Sequence, residues 1–193
     1  MRVIAGKAKG KTLKLVPGKG TRPVTDRVKG ALFNILSWRV PGCRFLDLFA
    51  GTGSIGIEAL SRGAREVVFV EKASQAVRVV LENLNRAGLA DHARVIHDDA
   101  YRFVAQKGSH MSDAQPFDVI YVAPPQYQDL WSQALLALDT SSLLAPDSIV
   151  VAQIFPKEYR PLPLQRMVLT DRRTYGSTML CFYQPHTDAT PPA

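Results

Sequence analysis

The 193-residue chain is poor in cysteine, in long apolar runs and, over its first forty residues, in acid. Cys43 and Cys181 are the two cysteines, too few for a disulfide framework or, unaided, a four-ligand zinc site. Each adjoins a strand-like segment and reads as a buried thiol. His92, His97, His110 and His186 show no metal-ligand spacing, so no metal is expected. No apolar run approaches the roughly 18 residues of a membrane span, and Met1–Lys7 has no apolar signal core. These shortages point away from membranes and toward a cytoplasmic location. Repeats and low-complexity linkers are lacking as well. What remains is globular: 46% apolar and 21% charged residues, at a length suited to one domain or one domain with a small appendage.

The scarcity of acid is local. Residues 1–40 hold ten Lys/Arg and a single acid, Asp26, for a net charge of +9, whereas the remainder carries 14 basic and 16 acidic residues. A basic segment on a near-neutral body is the footprint of a polyanion partner, most simply nucleic acid, though charge alone also describes a solvated arm.

Residues 2–16 alternate loosely and read as a small β-hairpin with Lys7, Lys9 and Lys11 on its turn. A helix follows over 25–38, with Thr25 as N-cap and Val28, Ala31, Leu32, Ile35 and Leu36 on one face. Beyond residue 43 strands and helices alternate. Strands are expected at 44–49, 66–70, 93–97, 117–122 and 148–154. Helices are expected at 54–62, 73–87 and 130–138, with a short one after the third strand. Along 73–87, Ala73, Ala76, Val77, Val80, Leu81 and Leu84 share a face. Residues 164–173 and 178–184 read as a closing antiparallel pair, 106–116 as a polar loop and 185–193 as a polar tail. The pattern predicts a Rossmann-like α/β fold with a parallel sheet. The closing pair is the ending expected of a seven-stranded methyltransferase sheet.

Between the first strand and its helix lies Asp47-Leu48-Phe49-Ala50-Gly51-Thr52-Gly53-Ser54-Ile55-Gly56. Gly51, Gly53 and Gly56 form G-x-G-x-x-G, and Glu71 lies 20 residues after Gly51 at the end of the next strand. That chemistry is shared by NAD and S-adenosylmethionine (SAM) sites, since an acid there accepts ribose hydroxyls. Asp47 favours SAM, because a carboxylate suits a cationic methionine moiety and is misplaced beside a pyrophosphate. Asp98-Asp99-Ala100 after the third strand favours it too, as a reader of an adenine amine. Ala50, Thr52 and Lys72 complete the expected cofactor set.

The fourth strand ends Val122-Ala123-Pro124-Pro125-Gln126-Tyr127. This is similar to the (Asp/Asn)-Pro-Pro-aromatic motif of methyltransferases acting on exocyclic amines. Paired prolines aim a backbone carbonyl at the amine, and an aromatic ring stacks on the unpaired base.

From Arg2 to about Tyr183 the chain resembles the RsmD-type 16S ribosomal RNA (guanine-N2)-methyltransferases. Arg2-Val3-Ile4-Ala5-Gly6, Lys9-Gly10-Lys11, Arg22-Pro23-Val24-Thr25-Asp26-Arg27-Val28, the glycine loop and Gly56–Ala64 carry the likeness. The resemblance implies methyl transfer from SAM to a guanine N2 in 16S rRNA or a small-subunit assembly intermediate, by a monomer. It implies RNA contacts from Arg2, Lys7, Lys9, Lys11, Arg22 and Arg27. It implies a basic RNA-gripping element over 1–40, a catalytic domain over 41–184 and a flexible tail over 185–193. Ala123 stands where that family has Asp or Asn, and Gln126 displaces the aromatic by one place. Pro124, Pro125, Gln126 and Tyr127 are therefore the expected catalytic set. The alternatives are a SAM- and rRNA-binding protein with weak or lost activity, and a methyltransferase of another amine.

Overall fold

Four apolar segments rich in Val, Ile, Leu and Phe line up side by side because a sheet covered on both faces can bury them, and a fifth, Ala93–His97, pairs at the edge and is only partly buried. The computed structural model describes residues 1–17, 24–106, 115–126 and 128–186. Its strands are β1 (Arg44–Leu48), β2 (Glu66–Glu71), β3 (Ala93–His97), β4 (Phe117–Val122), β5 (Leu144–Ile154), β6 (Met167–Tyr175) and β7 (Thr178–Pro185). They form one sheet in the order β3-β2-β1-β4-β5-β7-β6. β1 to β5 pair in parallel, and β7 inserts antiparallel between β5 and β6. The predicted seven-stranded Rossmann-like architecture and its closing hairpin are thus present.

Helices α1 (Asp26–Leu36), α2 (Ser54–Ser61) and α3 (Ser74–Ala87) pack with the N-terminal segment on one face of the sheet. Helices α4 (Ala100–Ala105) and α5 (Leu130–Asp139) cover the other. Thr25 caps α1 as expected, its Oγ1 accepting the Val28 N–H, and Gly88 closes α3 in the left-handed conformation. Among the described residues no helix is long and apolar enough to cross a membrane, and no three His, Cys, Asp or Glu side chains gather into a metal site.

Three expectations are corrected. Along α1 the buried face is Val28, Lys29, Leu32, Phe33 and Leu36, while Ile35 and Trp38 are exposed. Along α3 Val79 and Asn83 are buried, and Leu81 is exposed. Both helices are rotated from their apolar periodicity because each buries a polar side chain with a fixed partner. The N-terminal segment is an antiparallel loop with one isolated bridge, Arg2 to Thr12, rather than a laddered hairpin. Strand ends shift by small amounts elsewhere; β5 begins at Leu144 through an irregularity opposite Phe117–Val119 that accommodates Pro146.

That loop is built into the core. Val3, Ala8 and Leu13 are 1–2% exposed and belong to the apolar cluster under α1, α2 and α3. Gly6 lies so close to α2 that a Cβ would sit 1.8 Å from the Ser61 carbonyl oxygen, and its φ of +80° is one that only glycine adopts at little cost. Beside it the Lys7 N–H donates to that carbonyl at 2.8 Å. Ser61 Oγ accepts the Ala8 N–H and donates to the Ala5 carbonyl.

Candidate functional site

The parallel strands all end on one side of the sheet, so loops after β1, β2, β3 and β4 converge there. β1 runs into Phe49-Ala50-Gly51-Thr52-Gly53, and Gly53, with φ of +74°, is the N-cap of α2. Asp47 is 2% exposed, and its Oδ2 accepts the Gly56 N–H at 2.9 Å. Burial pushes its carboxyl up to about 7, opposed by the Gly56 hydrogen bond and reinforced by the charge of Glu71. The third glycine of the motif serves packing. A Cβ on Gly56 would lie 2.2 Å from the Phe69 ring.

Glu71 ties two strand ends together. Its Oε2 accepts the Gly51 N–H and its Oε1 the Ala73 N–H, both at 2.8 Å. Each oxygen keeps a second lone pair. Asp98 is buried and paired with Arg102, and its backbone N–H reaches the Glu71 carbonyl. Asp99 caps α4 through the Tyr101 and Arg102 N–H groups, and Lys72 Nζ lies 3.8 Å from its other oxygen. Ala50 and Ala100 are buried, and Thr52 Oγ1 lies 3.8 Å from Met1 Sδ. Carboxylates at three adjacent strand ends fit a ligand that offers a positive charge, hydroxyls and an amine. They would repel a pyrophosphate. The residues present therefore fit SAM better than NAD.

The acceptor loop leaves β4 at Ala123. Pro124 is buried, Pro125 exposed and Gln126 half-buried; Tyr127 lies outside the described residues. The far end of the loop is held by Asp129, whose φ is 52° and whose carboxylate pairs with Arg160 at 2.7 Å. Trp131 is buried and stacks on Tyr159, ring centroids 6.5 Å apart, so it packs α5 rather than lining a base pocket.

Arg2, Lys7, Lys9, Lys11 and Arg27 are all exposed, Arg2 paired with Asp26 at 3.1 Å. Arg22 lies outside the described residues, as do 107–114 within the expected polar loop and 187–193 of the expected tail.

Buried polar groups that periodicity conceals anchor this basic segment, Glu58 and Lys29 tying it to α2 and α1, and Asn83 to α3 and the glycine loop. Glu58 on α2 is fully buried. It accepts the N–H groups of Ile4 and Ala5, at 2.8 and 3.0 Å, and pairs with Arg62 at 2.8 Å and with the fully buried Lys29 at 3.4 Å. Lys29 also donates to the Arg2 carbonyl at 2.6 Å. Asn83 accepts the Lys14 N–H at 2.7 Å and donates to the Lys14 and Thr52 carbonyls at 3.1 and 3.0 Å. The available signal was a lone cation and a lone acid inside otherwise apolar helix faces.

Residues 1–184 match the family described as conserved hypothetical protein 95. The Bacillus subtilis protein YlbH, provisionally named an rRNA methyltransferase, is 37% identical over 95% of this chain and 98% of its own. Ribosomal RNA small subunit methyltransferase D of Haemophilus influenzae is 32% identical over 95% of this chain and 93% of its own. The solved structure of a hypothetical protein from Thermus thermophilus superposes with a TM-score of 0.81 at 35% identity, covering 95% of this chain and 99% of that one. A loop fit for a cation, a Pro-Pro acceptor turn and a docked basic segment accompany these likenesses, and the chain belongs to the conserved hypothetical protein 95 family.

Proposed function

We propose that this protein is a SAM-dependent methyltransferase that methylates the exocyclic N2 amine of a guanine in small-subunit ribosomal RNA, acting as a cytoplasmic monomer on 16S rRNA or an assembly intermediate. The observation that carries the reading is the set of carboxylates on three adjacent strand ends beside the Pro124-Pro125 turn. Bound there, SAM supplies an electrophilic methyl group on sulfur. Asp47 would favour its positive charge, Glu71 would accept ribose hydroxyls and Asp99 the adenine amine, with Ala50, Gly51, Thr52, Gly53, Lys72, Asp98 and Ala100 shaping the cleft. The amine of a guanine is conjugated to its ring and is a poor nucleophile. Hydrogen-bond acceptors from the acceptor loop, beginning with the Pro124 carbonyl, orient it and raise its reactivity. Tyr127 would stack on the base. Arg2, Lys7, Lys9, Lys11, Arg22 and Arg27 would hold phosphates, which predicts a steep loss of RNA affinity with salt. The relatives named for rRNA methylation agree with this assignment.

The test is nucleoside mass spectrometry after incubation with SAM and unmodified small subunits. N2-methylguanosine appearing at one position is the expected result. SAM binding and RNA binding without any methylated product would favour the non-catalytic reading, for which Ala123 is the specific observation. Product on a protein or small-molecule amine alone would refute the RNA assignment.

A further inference from the structure

The turn that should present a side-chain acceptor to the amine lacks one, because Ala123 precedes Pro124. The neighbouring strand carries a replacement. β4 and β5 run parallel with Val122 opposite Ala152. Gln153, still within β5, therefore sits at the level where Ala123 follows the last residue of β4. Side chains alternate along a strand, so Tyr121 and Ala123 share a face. Gln153 is on that face too, because the Tyr121 hydroxyl donates to its Oε1 at 2.6 Å. Ala123 packs against the same apolar cluster that includes Tyr121. Tyr121 in turn sits opposite Asp47 on β1. The row Asp47, Tyr121, Gln153 thus crosses three strands at their catalytic ends. Tyr121 is buried, whereas Gln153 is half-buried.

Resting on the reading above, we propose that Gln153 is a catalytic residue: its carboxamide oxygen accepts a hydrogen bond from the substrate amine in place of the side chain missing at position 123. The oxygen has two lone pairs, of which Tyr121 occupies one. The group is chemically the amide of the Asn found in related acceptor motifs, delivered from β5 instead of β4. Tyr121, locked in the core, fixes its rotation. Gln126 is the competing acceptor, but among the described residues it has no hydrogen-bond partner to set its direction. As the amine nitrogen forms its bond to the methyl carbon, the carbon–sulfur bond breaks and its electron pair stays on sulfur. The surplus amine proton passes to water, since an amide oxygen orients an N–H without taking its proton.

The experiment compares wild type, Gln153→Leu, Tyr121→Phe and Gln153→Leu with Ala123→Asp, on small subunits with SAM. Gln153→Leu should lower kcat by roughly 10²-fold, the cost of losing one transition-state hydrogen bond, with KM and SAM affinity within twofold and the melting temperature retained. Tyr121→Phe, which only frees the amide to rotate, should lower kcat by less. Adding Ala123→Asp to Gln153→Leu should recover at least tenfold, a rescue that a merely structural role for Gln153 would not show. An active wild type with Gln153→Leu within threefold of it overturns this inference alone. A fall in kcat that Ala123→Asp leaves uncorrected also overturns it. No product from the wild type overturns both the inference and the functional reading.

Discussion

Glu58 offers the sharpest test of how the basic segment is held. It is fully buried and receives two backbone N–H groups, one guanidinium and one ammonium. Glu58→Leu leaves the Lys29 ammonium buried with only the Arg2 carbonyl, and leaves the Ile4 and Ala5 amides without their acceptor. Breaking a buried pair from one side costs about 3–5 kcal/mol. At this chain length that is a fall of roughly 6–20 °C in melting temperature, at about 2–4 °C per kcal/mol. Lys29→Met should cost less, about 1–3 kcal/mol, because Glu58 keeps Arg62 and both amides. The double variant removes both charges together, so its cost should fall short of the sum of the singles by about 1–3 kcal/mol. Burial lowers the Lys29 pKa from 10.5, more than the opposing pull of Glu58 raises it. Between the lowered value and 10.5 the unfolded chain binds more protons, so stability should rise with pH there, and Lys29→Met should abolish that rise. Urea unfolding with a constant m-value is the assay. Strict additivity in the double variant, or a Glu58→Leu cost below about 1 kcal/mol, would refute the account.

Asp47 titrates near 7 when folded and at 3.8 ordinarily, so the folded state binds more protons between those values and stability should fall as pH rises through that window. Asp47→Asn should flatten this slope in pH-dependent unfolding, and in the wild type SAM affinity should climb from pH 5 to about 8 as the carboxylate ionises, measured by calorimetry. Gly56→Ala forces a methyl into the Phe69 ring and should cost about 1–3 kcal/mol in urea unfolding. Asn83→Leu releases Lys14 and the Thr52 carbonyl together, so SAM affinity and RNA affinity should both drop, by roughly tenfold each if about one net hydrogen bond is lost at either site; loss of one affinity alone would contradict the shared anchor.

Sequence legibility followed the kind of force involved. Ala93–His97 and Phe117–Val122 were readable to the residue because each is a short segment centred on β-branched and aromatic residues, Val95-Ile96 and Val119-Ile120-Tyr121-Val122, set in an alternating strand–helix pattern. The Thr25 and Gly88 caps were readable because their chemistry is local. The faces of α1 and α3 were not, since Lys29 and Asn83 are buried by partners about 30 and 70 residues away. Asp47, Glu71 and Asp99 were legible as acids at strand ends, but not that each also accepts backbone N–H groups of the glycine loop or of the helix that follows. Gln153 was invisible because its relation to Ala123 exists only through the β4–β5 register.

The anchoring of the N-terminal segment also shapes how the chain is made. Synthesis delivers residues 1–17 first, yet their partners Glu58, Ser61 and Asn83 follow 53–69 residues later. Until α2 and α3 have emerged, Ile4, Ala5 and Lys14 lack the groups that hold them, and a stretch with five Lys/Arg and no acid is without its anchors beside the ribosome that is making it. Its closure is therefore a late, long-range step, and loop closure over such distances slows folding. A delay in translation before Asn83 would prolong that exposed, basic state, and limited proteolysis of stalled nascent chains would detect it by cleavage within residues 1–17 that stops once α3 is complete.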